Sequence, residues 1–467
     1  MKIGLVGASY REWSSPFDPQ RTVNLYPVSD QQGGKEISAL YGTDGLLLFA
    51  SVGTGAIRGV FSAANGRAFV VSGAGVYDVD SSGVSTLRGS LDSSSGVISI
   101  EENGVQLAIC DGDHLYILTY ATNVFAKVTD ADLPSVGSVT FIDSYFVVNK
   151  NDTGVFYIST LLDGSSWSAL AFASAESSPD NLKRVLSGMG QLWLLGERTG
   201  EVWNNTGDSV FPFEKISGAE FNTGILAPLS VVEINKTLLW VGRDKGGIGS
   251  VYQTQGFTPS KISTPPIERL IIEAGDYENM VAFTFNSLGH TFYMLTGGGL
   301  SSSLVYDLTT QLWHERAWKN SVGDFEQHLA NCHMFVFNKH IVGDRVDGKI
   351  YEMSPDYYDD NGTAIVRERI YTNISQENKR QRYDRLEIAF EGGVGLQSGQ
   401  GSDPTADIEI SKDGGRTWST PNTVSIGAVG NYKTQAVIRR IGMAEQLTFR
   451  LRISDPVKIA MTGSFLT

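Results

Sequence analysis

The residues of this sequence that could do chemistry fall into a few groups. Paired carboxylates stand at Glu101-Glu102 and in Asp356-Tyr357-Tyr358-Asp359-Asp360. General acid–base work on a glycosidic bond needs two carboxyls at a fixed separation across a cleft, and adjacency within one loop does not supply that. The run from Asp356 to Asn361 offers oxygen ligands of the kind Ca²⁺ accepts, but reads as a solvated loop. His328, Cys332, His333 and His340 lie close enough in sequence to suggest zinc. Their spacing suits a helix, however, and the segment reads as a strand pair, so a core thiol with hydrogen-bonded or surface imidazoles is expected. Gly4-Leu5-Val6-Gly7-Ala8-Ser9 lacks the third glycine and the helix of a dinucleotide loop, and the glycine-rich stretch 242–247 lacks the Lys-Ser/Thr of a P-loop. No Gly-x-Ser-x-Gly elbow is present. The expectation is no catalytic residue, no metal site and no cofactor.

The sharpest local motif is Ser411-Lys412-Asp413-Gly414-Gly415-Arg416-Thr417-Trp418, an Asp-box of the form Ser-x-Asp-x-Gly-x-Thr-Trp. In such a turn the Asp413 carboxylate accepts backbone N–H groups across the hairpin, Gly415 supplies a positive φ, and Trp418 plugs the turn onto its sheet, with Ser411 and Thr417 completing it. The motif is a turn staple and carries no catalysis of its own.

The elements that would position these residues are strands. Period-two alternation dominates, as in Arg67–Ser72, Gln106–Cys110, Ser144–Asn149 and Thr237–Val241, each bounded by Gly, Asn, Asp or Ser. Glycine contributes 52 of 467 residues and charged residues only 19%, which disfavours coiled coils and helical repeats. A weak unit recurs every 40–50 residues or so, the spacing of a four-stranded propeller blade. Copies begin near Gly59, Val97, Val136, Lys183, Val231, Met280 and Leu329. The reading is all-β: an N-terminal extended arm over 1–50, a β-propeller of six or seven blades over 51–375, and a C-terminal β-sandwich over 376–467. Trp193, Trp203, Trp240, Trp313 and Trp318 recur at matching places in the units and are expected to pack between blades.

Cys110 and Cys332 are far apart and form no CxxC pair, so reduced thiols are expected. The apolar start is interrupted by Arg11 and Glu12, too early for a signal peptide, and no stretch is long and apolar enough for a membrane helix. A net charge of −14 makes the chain a poor candidate for holding DNA by counterion release.

Short pieces along nearly the whole chain resemble one family. They are Leu5–Tyr10; Gln20-Arg21-Thr22-Val23-Asn24-Leu25-Tyr26-Pro27; Gly45-Leu46; Ile57–Val60; Arg380–Arg385; the Asp-box; Gly427–Tyr432; Arg439–Gly442; and Phe449–Val457. Together they are similar to the packaged-DNA stabilisation proteins, or tail hubs, of short-tailed P22-like bacteriophages. The sequence departs from that pattern at Val28, where an acidic residue is expected, and at Asp44, where proline is expected. Both read as local turn positions. The resemblance implies a non-enzymatic virion protein, assembled in the host cytoplasm as a homohexameric ring below the portal and its adaptor. Such a ring extends and closes the DNA channel, retains packaged DNA, and offers docking surfaces to a tailspike or tail fibre and to a needle or plug. DNA would pass without sequence-specific binding.

On that reading part of the negative charge lines the lumen, and a basic cluster of Lys379, Arg380, Arg382, Arg385, Arg439 and Arg440 sits at upper or subunit interfaces. Loops such as Leu161–Asn181 or Gly297–Ser303 would close the channel. The competing reading, from the Asp-box, is a sialidase-like propeller that binds or cleaves carbohydrate on a tail or cell surface. A glycosidase of that kind would show several Asp-boxes; here there is one, outside the proposed propeller.

Overall fold

The computed structural model describes residues 2–467 apart from 5, 15–17, 30–37, 97, 176–178, 245, 372 and 376–378, with the backbone alone at Asp244 and Ile248. Leu5, Val97, Lys245, Glu377 and Asn378, which figure in the stretches above, lie outside the described residues.

Among the described residues seven antiparallel meanders form the blades of a propeller, five as separate sheets and two within larger ones. The first runs Ile57–Ser62, Ala68–Ser72, Gly75–Val79, Ser85–Ser90, and the second to fourth repeat this four-strand meander through Phe221. In the fifth the innermost position is split between Gly224–Ile225 and Val232–Ile234, both paired with Thr237–Asp244. The sixth spans Met280–Ser287 to Leu312–Lys319. The seventh has three strands, Ala330–Val336, Lys339–Asp344 and Lys349–Ser354, and takes its fourth from the other end of the chain, Gly45–Ser51.

These residues form blades because their central strands bury both faces. All of Ala68–Ser72 is buried, as are four of the five residues of Gln106–Cys110. The first hairpin of blades three to seven is a two-residue turn with both φ positive: Asp143-Ser144, Met189-Gly190, Asn235-Lys236, Leu288-Gly289 and Phe337-Asn338. That geometry matches the twist of the flanking strands. Neighbouring inner strands are stitched by hydroxyls: Val139 N–H donates to Ser99 Oγ (3.0 Å), Val185 N–H to Ser138 Oγ (3.0 Å) and Ser187 N–H to Thr140 Oγ1 (2.8 Å). The ring closes where Asn331 Nδ2 donates to Ile57 O at 2.9 Å and where Val52, Ile57, Val70, Ile341 and Ile350 share one core. Trp193 and Trp240 are fully buried, Trp203 and Trp313 nearly so, and Trp318 half-buried.

One α-helix, Pro265–Ala274, connects blades five and six among the described residues. Proline in its first turn, Glu268 near its positive end and Gly275 at φ 77° in the left-handed region define its limits, and Ile267 and Ile271 key it into the core beneath Val251, Tyr293 and Leu295.

The C-terminal sandwich has two sheets. One runs Leu25–Ser29, Ser38–Gly42, Ala460–Leu466, Gln381–Phe390, Ala436–Ala444. The other runs Pro19–Val23, Arg367–Ile370, Gln446–Ile453, Thr405–Ser411, Asn422–Ser425. Leu25, Leu40, Leu386, Ile408, Ile438, Phe449, Leu451 and Met461 fill the space between them.

Residues 1–50 are therefore not laid out as a separate arm. Their strands are shared between the sandwich (19–42) and the propeller (45–51), while Arg367–Ile370, expected within the propeller, pairs in the sandwich. The physical reason is edge satisfaction. Each body lacks strands that the N-terminal segment supplies, and an unpaired edge is costly and aggregation-prone. Pro27 is tolerated because Leu25–Ser29 is an edge strand.

Candidate functional site

The stretch Gln20–Pro27 lies on the seam between the two bodies. Pro19–Val23 bridges in parallel to the sixth blade at Val23↔Glu315 and pairs antiparallel with Arg367–Ile370, so one 12-stranded sheet runs from propeller to sandwich without a break. Asn24 makes the bend out of that sheet at φ 53°. Its backbone N–H donates to Glu315 O (2.8 Å), its Oδ1 accepts Ala317 N–H (2.9 Å), and its Nδ2 donates to Ala317 O (2.8 Å) and Val366 O (2.9 Å). Asparagine suits the position because it tolerates the left-handed region and can both donate and accept. After the bend Leu25 enters the sandwich core, and Tyr26 enters the propeller core against His290 and Phe292, ring centroids 5.2 Å from each.

Charged side chains cross this continuous sheet in alternating order. Glu315 accepts Arg21 Nη2 at 2.7 Å and also the Ser9 and Ser302 hydroxyls at 2.6 and 2.8 Å. Arg21 lies 3.6 Å from Glu368, Glu368 accepts Arg452 at 2.7 Å, Arg452 is 3.6 Å from Glu409, and Glu409 accepts Arg450 at 2.5 Å. Arg450 ends the row with its guanidinium 4.4 Å from the centre of the Trp418 ring. Burial pushes the Glu315 carboxyl up, but Arg21 and the donated hydrogen bonds outweigh it and hold it below its ordinary value. Gln20 Oε1 accepts Arg369 Nη2 at 2.6 Å; burial draws Arg369 down to about 10. A Cβ at Gly7 would stand 2.7 Å from Arg369 Nη2 and 2.8 Å from Gln20 Oε1, so a side chain here would have to displace that pair.

Trp418 belongs to the Asp-box hairpin. Asp413 Oδ1 accepts the Ser411 hydroxyl (2.7 Å) and the Arg416 and Thr417 N–H groups (3.0 Å each), and Oδ2 accepts the Thr417 hydroxyl (2.6 Å). Gly415 has φ 91°. Hydrogen bonds from Ser411 and Thr417 hold the Asp413 carboxyl far below its ordinary value. Both carboxylate oxygens are occupied by the turn itself.

The six residues of the basic cluster gather along one border of the sandwich. Arg385 and Arg439 face each other across Gln381–Phe390 and Ala436–Ala444, the latter an outer strand of its sheet. Arg440 stands at φ 60° and, like Arg439, is exposed; Lys379 and Arg380 are exposed just before the strand that carries Arg382. Arg382 pairs with Asp384 (2.8 Å) and Arg385 with Glu387 (2.5 Å).

Other positions sit differently from their sequence reading. Asp360 is not solvated: it is buried beside the parallel bridge to Leu46, its Oδ1 has no partner, and burial pushes it up to about 7. Asp44 is no free turn residue but a buried carboxylate, accepting the Ser287 hydroxyl at 2.9 Å and lying 3.6 Å from the fully buried Arg316. His333 Nε2 is 2.9 Å from His340 Nδ1, and burial lowers both imidazoles. Among the described residues no three His, Cys, Asp or Glu side chains converge as a metal-ligand set. Leu161–Asn181 contains a 12-residue strand, Asp163–Ser174. Gly297–Ser303 is a tight turn against the helix, where a Cβ on Gly299 would stand 2.8 Å from Ala274 O.

The family model described as bacteriophage P22 Gp10, beta-propeller, matches residues 1–358, and that described as bacteriophage P22 Gp10, beta-sandwich, matches residues 367–467. The chain belongs to the bacteriophage P22 Gp10 family. It is a phage structural protein, a component of the virion, with a β-propeller followed by a β-sandwich. No curated protein matches. Solved structures similar to it include the N-terminal domain of Nup159, at 12% identity over 72% of this chain and 98% of that one (TM-score 0.41). Another is the extracellular domain of a hybrid two-component system from B. thetaiotaomicron, at 9% identity over 77% of this chain and 45% of that one (TM-score 0.45). In this P22 Gp10 relative, the stretch Gln20–Pro27 and the Asp-box, read separately from the sequence, are the two ends of one ion ladder. The chain separation between Arg21 and Glu315, Glu368 or Arg452 hid that link.

Proposed function

We propose that this P22 Gp10 family member forms the tail hub, or nozzle: a homohexameric ring below the portal and adaptor that extends and closes the DNA channel, retains packaged DNA and guides its ejection. It is assembled in the host cytoplasm, docks a tailspike or tail fibre and a needle or plug, and catalyses nothing. The observation that carries this reading is the unbroken 12-stranded sheet with its partly buried ion ladder. It welds propeller to sandwich into one load-bearing unit, as a ring that holds pressurised DNA demands.

Charge supports the same reading. Residues 376–467 hold 12 Lys and Arg against 10 Asp and Glu, a net of +2, leaving −16 on residues 1–375. The basic border of one sandwich is suited to the acidic propeller of the next copy, a heterologous contact that can close into a ring. An acidic lumen would repel phosphates and let DNA slide. The Asp-box supplies the carbohydrate reading with no catalytic group, since Asp413 staples its own hairpin.

The test is negative-stain imaging of the purified protein with and without its adaptor–portal complex. Rings on the portal, lost in an Arg439→Glu/Arg440→Glu variant that still folds, are expected. A protein that ignores the portal and hydrolyses host polysaccharide would overturn the proposal, and a net-positive lumen in the assembled ring would overturn the sliding argument.

A further inference from the structure

The inner strands of the propeller surround an axial cavity of about 510 Å³. Its polar lining is almost entirely committed. The Arg58 guanidinium donates to Gly73 O, Ser93 O and Gly96 O at 2.9–3.1 Å. Ser99 Oγ serves Val139 N–H, Asn331 Nδ2 serves Ile57 O, and His333 is paired with His340. Arg184, on Leu182–Gly188 of the fourth blade, differs: among the described residues it has no hydrogen bond and no ion pair, and its Nε is shut off from solvent without an acceptor. The ionisable groups that act on it are Glu101, on the inner strand of blade two, and the buried Cys110 thiol on the strand beside it; Glu102 in turn acts on Glu101. Glu102 is itself engaged, accepting Ala64 N–H and the Tyr120 hydroxyl at 2.6 Å each. No carboxylate oxygen of Glu101 comes within ion-pair distance of Arg184.

An arginine held in a roomy cavity at the axis of an acidic propeller, with every neighbouring acceptor spoken for or out of reach, is a donor fork awaiting an acceptor. Buried polar groups left unpaired are costly, and planar carboxylates match the guanidinium geometry. We propose that the axial cavity is a carboxylate-binding site centred on Arg184, with the charge of the nearby Glu101, which acts on Arg184 without touching it, opposing the ligand. The ligand is either a small free carboxylate or an acidic side chain of a docking segment. Burial raises the Glu101 carboxyl to about 7. Below that pH Glu101 is neutral and leaves the positive field of Arg184 unopposed; above it, the Glu101 charge, acting on Arg184 through space, opposes an anionic ligand. Affinity therefore rises as pH falls through about 7. This stands independently of the nozzle reading.

The test is calorimetric titration of the full chain with sodium acetate and, separately, with N-acetyl-glutamate amide, at pH 6 and pH 8. Binding about tenfold weaker at pH 8 is expected, from the change in the neutral fraction of Glu101. Arg184→Gln should abolish binding at both pH values, and Glu101→Gln should keep it at pH 8. Uptake of both probes identifies a small-carboxylate site; uptake of the glutamate probe alone identifies an acidic side chain. Should Arg184→Gln not fold, Arg184→Lys, which keeps the charge but loses the fork, must still weaken binding, and the Arg184 Nε–H resonance of the wild type must shift with ligand. Absence of binding to both probes at pH 6, an unchanged affinity in the Arg184 variant, or a pH dependence that persists in Glu101→Gln overturns the proposal.

Discussion

Asn24 offers the sharpest test of the seam, because one side chain holds three main-chain groups, two at Ala317 and one at Val366, while its own backbone sits at φ 53°. Replacing it by alanine strands Ala317 N–H, Ala317 O and Val366 O in a region where Asn24 is 1% exposed. Three lost hydrogen bonds at about 1 kcal/mol each, rising toward 1–3 kcal/mol where a buried group finds no substitute, give about 3–5 kcal/mol. The left-handed conformation adds about 1 kcal/mol for alanine, for a total of about 4–6 kcal/mol. Glycine loses the same bonds but not the conformational penalty, so Asn24→Gly should lie about 1 kcal/mol above Asn24→Ala. The assay is equilibrium urea unfolding read in parallel by far-ultraviolet circular dichroism and tryptophan fluorescence. Seven of the eight tryptophans precede the sandwich and only Trp418 lies in it, so fluorescence reports mainly the propeller. Both probes should shift together if the seam couples the bodies. An Asn24→Ala protein within about 1 kcal/mol of wild type, or one indistinguishable from Asn24→Gly, would refute the reasoning.

Three further outcomes follow from the same geometry. Residues 367–467 expressed alone lack Pro19–Val23, Leu25–Ser29 and Ser38–Gly42. The fragment should give a poorly dispersed NMR spectrum that sharpens when residues 19–42 are fused back; a cooperatively folded fragment would contradict the shared-strand account. Asp413 has its carboxyl held below its ordinary value, so its stabilisation is complete above the unfolded value of about 3.9 and fades as pH falls below it. The stability gap between wild type and Asp413→Ala in urea should thus be widest above about pH 5 and narrow steadily in more acid solution. His314 is buried with neither ring nitrogen partnered, and burial lowers it to about 3. The unfolded chain binds this proton near 6.5 and the folded one does not, so stability drops as pH falls through that interval. His314→Phe should flatten this slope and raise the melting temperature at neutral pH, both measurable by calorimetry.

What the sequence shows plainly is what is encoded locally. The short apolar runs Ala68–Ser72 and Gln191–Gly196, bounded by turn residues, mark blade strands because each buries both faces. The Asp-box is legible because its donors, acceptor and glycine lie within eight residues. The place of Gly45–Ser51 in the propeller is not legible locally, since its partner Lys349–Ser354 lies far along the chain. The burial of Asp360 and Asp44 is hidden for a related reason: an acidic run such as Asp356–Asp360, or a single Asp beside a glycine, resembles a solvated turn until Arg316 and Arg367 fold beside it. Most of the two-residue hairpins carry no local signal either. Phe337-Asn338 and Met189-Gly190 lack the familiar Asn-Gly form, and the register of the flanking strands, rather than turn propensity, selects them.

The lending of Gly45–Ser51 to the last blade also imposes a timetable. Its partner, Lys349–Ser354, is synthesised some 300 residues later. At about 5–20 residues per second, the early strand must wait roughly 15–60 s on the ribosome, with Pro19–Gly42 waiting longer for the sandwich strands. Blades one to six can collapse in order as they emerge, but the ring stays open and the seam unformed until translation is nearly complete. An interrupted or truncated chain therefore lacks both the closed propeller and the finished sandwich, which keeps unfinished copies from posing as assembly-ready subunits.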